Sequence, residues 1–163
     1  IIARAEAAFA TVGTAIEQCR FRAGIAEAME VAREANRYLD AKAPWFQIKK
    51  DKQAAANTCY TMLQVLSSLS RLFAPYLPFS SQALEQMLGF TPDILGEQYQ
   101  QEVSETSKEH SVLRYNPPTG GDRWQSRQIP AGQPLGKPQP LFKKLEDSII
   151  QEEVDRLQSK ASS

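Results

Sequence analysis

Apolar residues recur at steps of three and four through residues 1–90, and that spacing predicts long amphipathic helices. Ile2, Ala5, Phe9, Val12, Ile16 and Cys19 form one stripe, predicting a helix over 2–19. A second helix is predicted over 23–42. Its stripe is Ile25, Ala28, Met29, Ala32, Asn36 and Leu39, with Glu27, Glu30, Arg33, Glu34, Arg37 and Asp40 opposite. Pro44 ends it, because proline disfavours helical geometry in the residue before it. A third runs over 53–74, with Thr58, Met62, Val65, Leu66, Leu69, Leu72, Phe73 and Tyr76 on one side and Pro75 and Pro78 as its stop. Ser80 or Ser81 then caps a short helix over 82–88, closed by Gly89. Leu145, Ile149, Ile150, Val154 and Leu157 mark a last helix over 144–159.

The pattern breaks after residue 90. Residues 91–140 hold seven of the ten prolines and five of the eight glycines, so long helices are excluded there. Residues 91–116 read as polar loop, and residues 123–140 as an extended strap. Ile129, Leu135, Leu141 and Phe142 would anchor that strap, since a free linker needs no apolar anchors. The predicted fold is all-α: an antiparallel helical bundle over 1–90, a linker and strap over 91–143, and a closing helix over 144–163.

Composition narrows the picture without naming a job. The 163 residues are 42% apolar and 23% charged, enough for one domain with an appendage. Nineteen basic and nineteen acidic side chains cancel, so any nucleic-acid role needs a local site rather than a global field. No apolar run is long enough to span a membrane. Cys19 and Cys59 form no CxxC pair and read as small core residues in a reducing compartment. The lone histidine, His110, has no evident catalytic partner, and neither a metal-ligand cluster nor a phosphate-binding glycine loop occurs. Glu152, Glu153 and Asp155 read as a solvated helix face.

One place stands out. Trp45 follows Pro44 just beyond a helix stop, with Lys42, Lys49, Lys50 and Lys52 around it and Arg33 and Arg37 on the helix behind. An exposed tryptophan beside cations can stack on an unpaired base. The alternative is that Trp45 caps the bundle core, and the residues alone leave both open. Asn36 falls on the apolar stripe and is expected to be a buried structural amide tethering neighbouring backbone. Arg33 and Arg37 share a face at i, i+4 and suit phosphate positioning, as do Lys49 and Lys50.

The run Ala35-Asn36-Arg37-Tyr38-Leu39-Asp40 with Ala43-Pro44-Trp45 resembles the anticodon-binding domain of methionyl-tRNA synthetases. Leu72-Phe73-Ala74-Pro75-Tyr76-Leu77-Pro78 and Ser80-Ser81 are similar to that family's next helix end and start. Pro130-Ala131-Gly132, Gly136-Lys137-Pro138 and Pro140-Leu141-Phe142-Lys143-Lys144-Leu145-Glu146 are similar to its strap and closing helix. The resemblance implies that Pro44 and Trp45 contact the CAU anticodon of methionine tRNA. It also implies a cytoplasmic, non-catalytic C-terminal module of a longer ligase. ATP and methionine would then be bound by a separate catalytic domain of the same enzyme, which is the module's other partner. The family's first bundle helix, with its asparagine and arginine, would lie upstream of Ile1. Two alternatives are an anticodon module of a leucine, isoleucine, valine or cysteine enzyme, and a helical protein-interaction domain with no RNA role.

Overall fold

A computed structural model describes residues 1–91, 96–105, 108–117, 124–142, 144, 146 and 148–161. The helices are α1 (Ile2–Glu17), α2 (Phe21–Lys42), α3 (Pro44–Gln47), α4 (Lys52–Phe73), α5 (Pro78–Met87) and α6 (Ser148–Ala161). Helices α1, α2 and α4 pack on one another around a core of Ala5, Ala8, Phe9, Val12, Ala28, Val31, Ala35, Val65, Leu69 and Leu72.

The buried face of α2 differs from the predicted stripe. It is Gly24, Ala28, Val31 and Ala35, so the contact with α1 is made largely by small side chains facing Ala5, Ala8 and Ala15. Small residues let two helix backbones approach closely. A stripe drawn through the bulkier Ile25, Met29 and Leu39 is therefore displaced around the helix. Met29 is exposed, and Asn36 is exposed rather than a buried tether. Both cysteines are exposed too, against the expectation of core thiols. Cys19 falls at the α1–α2 turn, with a left-handed φ of 56°.

Helix α5 begins earlier than its serines suggested. Pro78 occupies its first turn, where a missing N–H costs nothing, and Ser81 is buried. Gly89 follows the helix at φ +80°, and a Cβ there would overlap the Pro134 carbonyl oxygen. The glycine thus supplies both the turn and the close approach of the strap.

Part of the polar side of α4 is buried as well, because the chain around residues 126–129 lies across it, with Trp124 reaching α1 and residues 133–139 the end of α5. The Trp124 indole N–H donates to the Phe9 carbonyl at 2.7 Å, and its ring meets Phe9 edge-on at 5.2 Å. Ser67 donates to the Arg127 carbonyl at 2.7 Å. Gln64 pairs with the Ile129 backbone twice, donating to its carbonyl at 2.8 Å and accepting from its N–H at 3.0 Å. Tyr60 donates to the same carbonyl at 2.8 Å. The Ile129 side chain is buried against Leu88 and Phe90. Beyond it, Gln133 donates to the Leu88 carbonyl, and the Gly136 N–H donates to the Met87 carbonyl at 2.9 Å. Of the four expected anchors, Ile129 is buried and Leu141 half-buried, but Leu135 and Phe142 are exposed. Leu141 and Phe142 edge an apolar groove between α2, α4 and α5.

A buried acid completes this join. The Glu85 carboxylate accepts from Ser70 at 2.7 Å and lies 3.7 Å from Arg71 and 3.6 Å from Arg127. Arg127 also stacks its guanidinium 4.0 Å from the Phe90 ring centroid.

The fold is helical but not purely α. The segment read as loop holds an antiparallel hairpin, β1 (Glu97–Ser104) and β2 (Glu109–Asn116), in register from Glu97 with Asn116 to Ser104 with Glu109. Every residue of both strands is exposed or half-exposed, so the sequence lacks the alternation that a one-sided buried sheet imposes. The last helix begins at Ser148. Lys143 and Leu145 of the expected ending lie outside the described residues, and Ile150, Val154 and Leu157 on α6 are exposed.

Replacing Gln64 with alanine removes both amide bonds and leaves the buried Ile129 N–H unpaired. It should cost about 1–3 kcal/mol of stability and speed protease cleavage within residues 124–142. Unchanged cleavage there would show that the strap is held by other contacts.

Candidate nucleic-acid interface

The end of α2 sets the geometry of the site. Ala43 leaves the helix in the left-handed conformation, φ 41° and ψ 61°, and its N–H still reaches the Leu39 carbonyl at 2.8 Å. Pro44 then opens the single turn α3, a position that suits its fixed φ. Its ring is buried, whereas the next side chains turn outward. Trp45 is 48% exposed, Phe46 66% and Ile48 53%. The Trp45 and Phe46 rings lie 6.3 Å apart at 63°.

The inner side of this turn is fastened to α4. The buried Thr58 hydroxyl shares its one proton between the Ala54 carbonyl at 3.0 Å and the Gln47 side-chain oxygen at 3.2 Å. Asp51 caps α4 by accepting from the Ala54 N–H at 2.9 Å, so the segment between the two helices is short and closed by hydrogen bonds. The result is a rigid turn with an apolar outer surface. The reading of Trp45 as a core cap does not fit a side chain that is half-exposed and absent from the buried core clusters.

Lysines follow the turn closely in sequence, with Asp51 among them. Lys49, Lys50 and Lys52 are exposed, and among the described residues none of them is in an ion pair. The Lys42 ammonium lies 5.9 Å from the Tyr38 ring centroid. The structure thus brings Pro44, Trp45, Lys49 and Lys50 into one short segment. Arg33 and Arg37 differ. Both bind Glu30, at 2.7 Å and 3.0 Å, and Arg37 sits about 9 Å along the helix axis from Ala43. Their bonds, Arg37 foremost and then Arg33, hold the Glu30 carboxyl below the usual carboxylate range. Two guanidiniums share the Glu30 carboxylate, so these three side chains together carry one net positive charge rather than two.

Phe46, Ile48 and the Gln47–Thr58 tether escaped the sequence reading. The available signal was Trp-Phe-Gln-Ile, three bulky apolar residues among lysines directly after a proline. Thr58 on the α4 stripe was the second clue. Chemically, two aromatic faces with mobile cations around them can hold planar and anionic groups. Among the described residues no cluster of histidine, cysteine or acidic side chains is arranged to hold a metal ion.

Comparison with known proteins places the chain in a family. Residues 1–119 match the family model for the anticodon binding domain of methionyl tRNA ligase. The methionine–tRNA ligase of Thermomicrobium roseum is 46% identical over 153 residues, which is 93% of this chain and 26% of that protein. The Chloroflexus aurantiacus ligase is 42% identical over 153 residues, 93% of this chain and 26% of the relative. That of Roseiflexus sp. is 36% identical over 164 residues, 100% of this chain and 28% of the relative. The chain therefore spans about a quarter of the length of the curated relatives it matches.

Ala43 gives the turn a direct stability test. A left-handed φ is costly for alanine and free for glycine, so Ala43→Gly should stabilise the fold by about 0.5–1 kcal/mol. Ala43→Val, with a branched Cβ, should destabilise it by at least about 1 kcal/mol. Thermal melts that rank valine above alanine would contradict the assigned turn.

Proposed function

This chain belongs to the family of anticodon-binding domains of methionyl-tRNA ligases, and on that premise we propose that the Pro44–Trp45 turn is its anticodon-reading platform. The observation that supports the reading is the half-exposed indole on a turn whose proline is buried. Such a ring offers a flat face to an unpaired base and is already held in place before the base arrives. The RNA is the methionine tRNA with its CAU anticodon. Lys49 and Lys50 neutralise loop phosphates beside the platform. Arg33 and Arg37 add a weaker phosphate contribution, because Glu30 already takes part of their charge.

In this reading the module performs no bond chemistry. ATP-dependent methionylation belongs to a catalytic domain of the same cytoplasmic ligase, which binds ATP and methionine. That domain is also the surface that covers the exposed apolar residues of α6. The module's task is to hold the anticodon loop at a fixed distance from that catalytic centre, so that recognition and chemistry select the same tRNA.

Trp45→Ala in the full ligase should weaken tRNA binding or selection by about 1–3 kcal/mol. Methionine activation should stay unchanged, and the melting temperature should fall only slightly. Replacing Lys49 and Lys50 together by glutamine should flatten the dependence of log affinity on log salt by about 0.7 per lost phosphate contact. A large loss of folding stability with unchanged tRNA selection would instead return Trp45 to a structural role.

A further inference from the structure

The turn exposes a second aromatic ring that the tryptophan reading does not use. Phe46 is more exposed than Trp45, at 66%. It is not a stray side chain on a mobile loop. Its N–H donates to the Ala43 carbonyl at 2.9 Å, Pro44 on one side is buried, and Gln47 on the other is tied to Thr58. The backbone that carries the ring is therefore fixed, and water covers most of the ring. Leaving a fixed phenylalanine in water is unfavourable, and the segment 40–52 that carries it is net basic, with Lys42, Lys49, Lys50 and Lys52 against Asp40 and Asp51. An anionic ligand with flat apolar faces satisfies both features at once.

The angle between the rings restricts the ligand further. Trp45 and Phe46 meet at 63°, with centroids 6.3 Å apart. Neighbouring bases in a stacked strand are parallel. Two parallel bases cannot each lie flat on planes inclined by 63°. We infer that Phe46 is a second base platform, which takes the nucleotide next to the one on Trp45 and requires the two bases to be splayed apart. The pair of rings selects an opened loop over a stacked one, and specificity extends to a second base. This inference rests on Trp45 being the first platform.

The experiment separates the two statements. The full ligase and its Trp45→Ala, Phe46→Ala and Phe46→Leu forms are titrated with an anticodon stem–loop of CAU sequence. The same titrations use loops carrying an abasic residue at each anticodon position in turn. Phe46→Ala and Phe46→Leu should each weaken the intact loop by about 5- to 20-fold, because leucine keeps the apolar bulk but not the plane. One abasic position should cost little further in Trp45→Ala. A neighbouring position should cost little further in both Phe46 variants and the full amount in Trp45→Ala. Melting temperatures within a degree or two of the parent show that the fold is intact, and the exposed ring makes that the expected result.

If Trp45→Ala weakens binding and neither Phe46 variant does, the second platform is wrong and the first stands. The inference also fails if Phe46 couples to the same position as Trp45, since the phenylalanine then only braces the indole. If neither Trp45→Ala nor Phe46→Ala alters RNA affinity, the anticodon reading itself fails and the patch belongs to a protein contact.

Discussion

The burial of Pro44 behind a left-handed Ala43 is the constraint on which the site depends. A proline inside the bundle boundary stops α2 and fixes where the chain goes next. With the proline ring turned inward, the following two side chains must turn outward on a single helical turn. The left-handed residue costs free energy locally, about 1–3 kcal/mol for a residue without glycine's freedom. Burial of the proline and the Gln47–Thr58 hydrogen bond offset that cost. Backbone strain of this kind persists where surrounding packing over-determines it. Here the packing comes from α4, whose own N-terminus is capped within the same segment.

The strap has a second, structural role that the platform needs. Helix α4 supports the turn at its first half through Thr58 and receives the strap through Tyr60, Gln64 and Ser67 just beyond. Its polar face would otherwise face water. Covered by residues 127–129, Gln64 and Ser67 become buried polar groups with hydrogen-bond partners, and the strap on either side bonds α1 and the end of α5. Such groups are demanding, because each is costly if left unpaired once water is excluded. The same demand gives the strap one register. Gln64 matches a single backbone residue, and Trp124 docks over Gly13, where any Cβ would crowd its indole nitrogen.

Helix positions were legible in the sequence because periodic apolar spacing and prolines mark them strongly. Their faces were less so. In α2 the apolar stripe runs through Ile25 and Met29 and shares only Ala28 with the buried face of Gly24, Ala28, Val31 and Ala35, since bulk registers as hydrophobicity whereas close approach uses its absence. Asn36 inherited that one-residue displacement and was assigned to the interior. The hairpin was invisible for the opposite reason, as a two-stranded ribbon exposed on both faces leaves no pattern of burial. The strap was visible as proline density, but its partners were not, because they are polar residues of α4 that no apolar stripe reveals. At the site, Trp45 drew notice for its type and neighbours. Phe46 drew none, because its significance lies in an exposure and an angle that only the folded turn defines.

The central claim is that the Trp45 indole carries an unpaired anticodon base. The most direct measurement is a structure of the full ligase bound to a stem–loop of CAU sequence. The account predicts one unstacked base lying parallel to the indole at about 3.5 Å, with Pro44 still buried and Ala43 still left-handed. An anticodon loop bound elsewhere on the bundle, or Trp45 covered by protein in that complex, would contradict it.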